Sequence, residues 1–286
     1  MTNDYITTSL CWSKKILTTK APISSNHSMS LSYPVLLSKF SELFHLGGKY
    51  PPALVSGLVI FLISFYIVGV FTSLRSSLAL DPWALYHLNL NKISLYPLVH
   101  SSFLHLFFNI FALISPLSLY ERSNGTVHTG VVLNVLAVVT ALPYCVLGMV
   151  FFPKVSVVGA SAWCFSFFGY YSYLQSLSYP TFKVQDYEIP TIATPFILLV
   201  ASALIFPGSS FIGHLLGLLS GFALAKGYLK PLIEPSSKVI SWLEERLEKY
   251  IDMIPLVDYY KEKNVQRQFV NLNEDIETQG NILGTI

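Results

Sequence analysis

The chain has 286 residues, of which 52% are apolar, 14% aromatic and only 12% charged. A soluble domain carries roughly 25% charged residues, so this composition excludes an ordinary soluble protein and points to a polytopic membrane protein. The net charge of +2 is scattered over loops and tails, with no basic stripe for a nucleic acid. Cys11, Cys145 and Cys164 are too few and too dispersed for a disulfide framework or a thiolate metal site.

Residues 1–52 are polar, with Lys14, Lys15 and Lys20 but no continuous apolar run, so no cleavable signal peptide is expected in them. They are expected to be cytoplasmic and partly disordered, with Met29 a candidate alternative start. Six apolar segments follow, near 53–74, 102–120, 127–151, 157–174, 191–206 and 210–229. Each is about the length that crosses a bilayer core, the fourth and fifth being short. Asn124-Gly125, Phe152-Pro153 and Pro207-Gly208 punctuate the joints. The long connection from Arg75 to Ser101 carries Asp81-Pro82-Trp83 and many apolar residues, which suits the bilayer interface. The expected fold is an all-α membrane protein, a six-transmembrane-helix bundle over 53–229 with a cytoplasmic C-terminal tail over 230–286. In that tail, Val239, Leu243, Leu247, Tyr250, Ile251 and Ile254 recur at helical spacing among charged residues. The pattern predicts an amphipathic helix near 238–254, lying on the lipid leaflet or docking a cytoplasmic partner; a plain surface helix fits equally. Beyond Lys261 the chain turns polar and reads as disordered.

An even number of spans puts both termini on one side. Of 18 Lys and Arg, only Arg75, Lys92 and Lys154 fall on the other side, so both termini are expected in the cytoplasm. The second, fourth and sixth segments then enter from the opposite face. His105, Ser161 and His214 each lie a few residues below that face, about 5 to 8 Å deep at 1.5 Å per residue. Three separate helices thus bring an unusual polar residue to one depth.

Their chemistry is complementary. Ser161 lies between small residues in Gly159-Ala160-Ser161-Ala162; as a lone residue it reads equally as a small packing serine. His214 lies beside Gly213, Gly217 and Gly221, a four-residue stripe that lets a neighbouring backbone come close. It is either a core histidine bonded to a carbonyl or the base of a Ser-His dyad. His105 and Asn109 share a helix face and can donate to an oxyanion, as can the Ser161 amide; an interhelical polar clamp is the plainer reading. Phe165, four residues after Ser161, is placed to stack on His214 or simply to pack. His100 and His105 are badly placed to hold a metal from one helix face, and no cofactor or metal is expected.

The ordered set His100-x4-His105-x3-Asn109, Glu121-x3-Gly125-Thr126, Gly159-x-Ser161 and His214-x2-Gly217-x3-Gly221 resembles the rhomboid family of intramembrane serine proteases. The resemblance covers all six apolar segments. It implies Ser161 as nucleophile, His214 as general base without an acidic third member, and His105, Asn109 and the Ser161 amide as oxyanion site. Glu121, Gly125 and Thr126 match a structural element after the second helix. Ala162 replaces the usual glycine, Phe165 the frequent tyrosine, and the first loop lacks a Trp-Arg pair. The plan is most similar to the fungal Golgi type, which implies a Golgi membrane.

A transporter reading is disfavoured because no Asp or Glu falls inside the six segments as drawn. There is also no H-E-x-x-H motif and no intramembrane aspartate pair. The expected function is hydrolysis of a peptide bond in or near the transmembrane segment of a single-pass client, at the non-cytoplasmic side. The alternative is a non-catalytic rhomboid-like protein that binds such clients for trafficking or degradation.

Overall fold

The computed structural model describes residues 50–184 and 187–265. The readings made for residues 1–49, including the start at Met29, and for the polar end beyond Val265 lie outside the described residues. Just after Lys261 the chain is ordered, against the disorder expected there, because Glu262–Asn264 form a 3-10 turn whose Glu262 amide donates to the Glu244 carboxylate at 2.7 Å. Helices occupy all six apolar segments: α1 (Ala53–Phe71), α2 (Phe103–Asn124), α3 (Thr126–Phe151), α4 (Ser161–Ser178), α5 (Thr194–Ile205) and α6 (Phe211–Ala225). The tail forms α7 (Ser236–Ile251).

Three of these helices, α1, α2 and α3, are long and apolar enough to cross a membrane by themselves. α6 passes the same test only together with residues 230–251, from which it is bent by 87°. The difference follows from what each helix faces. α1 buries only Val55 and Leu62 and is otherwise open, so it is apolar all round. α4 buries Trp163, Cys164, Phe165, Ser166, Phe167 and Tyr173 among its neighbours, and can carry serines and tyrosines because protein surrounds it.

α4 and α6 form the tightest pair, and glycines make it possible. A Cβ on Gly217 would lie 2.5 Å from the Ala162 carbonyl oxygen, and one on Gly221 would overlap the Ser166 carbonyl. Ser166 Oγ then donates across the pair to the Gly217 carbonyl at 2.8 Å. Close backbone approach by small residues is how helices associate where no hydrophobic drive separates them from lipid.

Two features differ from the purely helical reading with acid-free segments. Between α4 and α5 the chain makes an antiparallel hairpin, β1 (Thr181–Val184) and β2 (Tyr187–Pro190), pairing Thr181 with Pro190. Its β-branched and aromatic residues favour the pleated form. And α2 runs on to Asn124, so Glu121 lies inside a helix, fully buried. Its carboxyl accepts from the Leu54 amide (2.8 Å), the Val55 amide (3.0 Å) and Thr126 Oγ1 (2.8 Å). Pro52, at the N-cap of α1, offers no side-chain cap, and Glu121 satisfies that helix's orphan donors from outside. A carboxyl committed to three donors is a structural joint, not a proton carrier.

The tail closes the same end. The Ala53 amide donates to the Asp258 carbonyl, and the Asp258 amide to the Pro51 carbonyl, both at 2.9 Å. The Thr126 amide donates to the Tyr260 carbonyl at 2.9 Å, and the Tyr260 amide returns a bond to Thr126 Oγ1 at 3.0 Å. Residues 258–262 therefore strap α1 to the α2–α3 turn. Gly125 suits the turn that the strap reaches: its φ of +95° is a left-handed conformation that side chains rarely adopt.

Candidate active site

The first loop is docked on the bundle. Lys92 pairs with Asp81 at 2.7 Å, and Leu80 exchanges two 2.9 Å backbone bonds with Val157. Trp83, Tyr86, Leu88 and Leu90 are left exposed as an apolar knob. Arg75 Nη1 donates to the Ser101 carbonyl at 3.1 Å, which ties the end of the loop back to its start.

This loop also shapes the turn that leads into α4. The Gly159 amide donates to the Tyr96 carbonyl at 3.0 Å, and the Ala160 amide to His100 Nε2 at 3.3 Å. Gly159 has φ +109°, and a Cβ there would lie 2.7 Å from His105 Nε2 and 3.2 Å from Asn109 Nδ2. Only glycine fits, on both conformational and steric grounds. The turn therefore runs directly against the face of α2 that carries His105 and Asn109. Ser161 opens α4, so its amide lies in the first turn, where backbone donors have no intrahelical acceptor.

Ser161 and His214 line one cavity of about 250 Å³, together with His105, Gly159, Tyr144 and Ser210. No direct hydrogen bond joins Ser161 to His214; they meet through the shared cavity. Catalytic hydrogen bonds are often looser before substrate binds. The His214 ring stacks on Phe165 with centroids 4.6 Å apart and planes 23° off parallel. Its Nδ1 has no hydrogen-bond partner among the described residues. Ser210 caps α6 by accepting from the Gly213 amide at 3.1 Å, which fixes the turn before His214.

Asn109 is buried, and its Nδ2 also has no partner among the described residues. A buried amide donor left unpaired is costly and calls for an acceptor. His105 is held differently: Ser101 Oγ lies 3.1 Å from its Nδ1, and the His100 ring meets its ring edge-on at 5.2 Å. A second cavity, of about 610 Å³, reaches Ser161 from between α2 and α5, past Phe108, Leu198 and Ile205. A third, of about 680 Å³, continues along the same cleft with mostly apolar walls.

The sequence reading named Ser161, His214, His105, Asn109, Gly159, Phe165, Gly217 and Gly221; Ser161, His214, His105 and Gly159 line the first cavity, Asn109 and Phe165 line the second, and Gly217 and Gly221 lie in the α4–α6 contact instead. It missed Ser101, Tyr96 and Arg75. A helix-face argument cannot see a contact made from a loop.

A turn that only glycine permits, a serine at a helix start and a stacked histidine suit acyl transfer, and comparison with known proteins agrees. A family model, the rhomboid domain, matches residues 87–231. The chain belongs to the rhomboid family of intramembrane serine proteases. It is 48% identical over 219 residues to rhomboid-type serine protease 2 of Yarrowia lipolytica, covering 75% of this chain and 74% of that one. The Saccharomyces cerevisiae protein of the same name is 43% identical over 227 residues, covering 77% and 86%. That of Candida albicans is 41% identical over 241 residues, covering 79% and 84%. In this rhomboid the matched region takes in α2 through α6, so every residue of the cavity named from the sequence falls inside it.

Proposed function

We propose that this rhomboid cleaves membrane-protein clients with a Ser161–His214 dyad. The observation that carries the reading is the convergence of Ser161, His214 and the unpartnered Asn109 Nδ2 at the Gly159 turn. In the reaction, His214 takes the proton of Ser161 Oγ as the oxygen attacks the scissile carbonyl. The charge that builds on that carbonyl oxygen is met by His105, Asn109 and the Ser161 amide. The C–N bond breaks, His214 gives its proton to the leaving amine, and an ester to Ser161 remains. Water then repeats the sequence and frees the acid. The Phe165 ring holds the imidazole in plane, and the Gly217–Ala162 approach keeps α6 near enough for the two side chains to share a cavity.

The client is a single-pass membrane protein whose segment enters between α2 and α5, where the apolar cavities lead to Ser161. Its helix must unwind locally, because helical peptide bonds are shielded by their own hydrogen bonds. Segments with small or helix-breaking residues near the cut are favoured, and stiffening them with Leu slows cleavage.

The six helices each span the bilayer, with both termini in the cytoplasm and the membrane that of the Golgi. The organisation is a polar N-terminal region over 1–52, a protease domain over 53–229 and a tail over 230–286. The 87° bend after α6 supports α7 lying in the plane of the leaflet, with Val239, Trp242, Leu243 and Tyr250 exposed on its surface. The deciding experiment is labelling of the purified protein by a fluorophosphonate, comparing wild type with Ser161→Ala and His214→Ala. Labelling lost in both variants supports the dyad. An unlabelled wild type in a folded preparation supports the non-catalytic client-binding alternative.

A further inference from the structure

His105 can donate to an oxyanion from Nε2 only if the neutral ring carries its proton there, and a histidine's tautomer is set by the partner of its other nitrogen. The atom near Nδ1 is Ser101 Oγ, at 3.1 Å. A hydroxyl both donates and accepts, so the contact permits either tautomer. Two further observations favour the Nε2–H form. Nε2 is the ring nitrogen that approaches Gly159, beside Asn109 Nδ2, where the reacting carbonyl oxygen has to sit. And the Ser101 backbone is held beside the ring: its carbonyl accepts from Arg75 at 3.1 Å, and the next residue, Ser102, caps α2 by accepting from the His105 amide at 3.2 Å. Two adjacent serines thus do different work, one fixing the backbone of His105 and the other its ring.

We infer that Ser101 is a positioning residue: its hydroxyl donates to His105 Nδ1 and so keeps the proton on Nε2, aimed at the oxyanion. The His100 ring, packed edge-on at 5.2 Å, blocks rotation on another side. His100 is itself tied to the α4 turn through the Ala160 amide, so loop, ring and turn hold one another. The inference rests on the oxyanion reading of His105 given above and adds the group that makes it competent.

The test uses the full-length enzyme in lipid nanodiscs and a fluorophosphonate, whose phosphoryl oxygen needs the same donors as a carbonyl. Ser101→Ala is expected to lower the maximal labelling rate roughly tenfold, the effect of one lost orienting bond, with half-saturation unchanged. Ser101→Thr restores most of it, because the hydroxyl returns. Ser101→Ala combined with His105→Ala is no slower than His105→Ala alone, since the serine acts through the histidine. In 15N spectra of histidine-labelled wild type, His105, assigned by its loss in His105→Ala, carries its proton on Nε2.

The possible failures separate the two ideas. If His105→Ala labels like wild type, the oxyanion reading falls and this inference with it. If His105→Ala is slow but Ser101→Ala is not, or Ser101→Thr is as slow as Ser101→Ala, the serine has no such role and the oxyanion reading stands. A wild-type His105 protonated on Nδ1 overturns the inference without any variant, so it stays testable even if Ser101→Ala misfolds.

Discussion

Replacing Glu121 by alanine is the sharpest test of how this fold is held. The carboxyl accepts from the amides of Leu54 and Val55 and from Thr126 Oγ1, with no exposure to solvent. Thr126 Oγ1 also accepts from the Tyr260 amide, and its own proton can turn to another acceptor. The two α1 amides cannot, because Pro52 provides no side-chain cap and, in the first turn, they have no helix carbonyl four residues earlier to bond. Each buried donor left unpaired costs about 1 to 3 kcal/mol, so Glu121→Ala is expected to cost about 4 kcal/mol. At roughly 2 to 4 °C per kcal/mol for a domain of this size, the midpoint of thermal unfolding falls by about 10 °C. The assay is unfolding in one detergent at matched concentration, followed by fluorophosphonate labelling per folded molecule at a temperature where the variant is intact. Labelling of the folded variant stays near wild type, because Glu121 lies at the far end of α2 from His105. A loss below about 1 kcal/mol would refute the capping argument. A stable variant that no longer labels would mean that the carboxyl acts in function and not only as a joint.

Gly221→Ala places a methyl inside the contact with the Ser166 carbonyl and forces α4 and α6 apart. Overpacking of this kind costs about 1 to 3 kcal/mol, and fluorophosphonate labelling falls further than the unfolding midpoint does. Truncation before Asp258 removes the strap and leaves the Ala53 and Thr126 amides without their acceptors; amide exchange at the start of α1 and of α3 rises in the truncated enzyme. The Glu248 carboxyl is held below the usual carboxylate range by hydrogen bonds from Lys261 and Lys263. Its contribution is present above the unfolded value of about 4.3 and is lost as pH falls through the lower folded value. Amide exchange in residues 258–265 therefore rises on acidification in that window and not at neutral pH. A nitroxide at Leu243, on the apolar face of α7, is expected to meet oxygen more than a water-soluble nickel chelate, and one at Glu245, about 200° around the helix, the reverse. Equal nickel access at both positions would place α7 off the leaflet.

Sequence alone located the helices, because apolar runs of bilayer length separated by Gly, Pro and Asn leave few alternatives for a chain that must satisfy its backbone without water. It also singled out the polar residues of the site, since a serine and two histidines at one depth, with an asparagine one turn beyond His105, are costly in that setting and stand out from the apolar background. It did not reveal how they are held. Ser101, Arg75 and Tyr96 act from a loop, where no periodicity marks a partner. Glu121 fell just past the second segment as drawn, and only the packed structure shows its carboxyl capping α1 from another helix. The strap of residues 258–262 shows no periodic pattern in sequence, and the backbone bonds it exchanges with Pro51, Ala53 and Thr126 carry no residue signature. Local chemistry decided which segments are helices and which residues are unusual; tertiary packing decided which of those residues meet, because that depends on contacts between elements far apart in the chain.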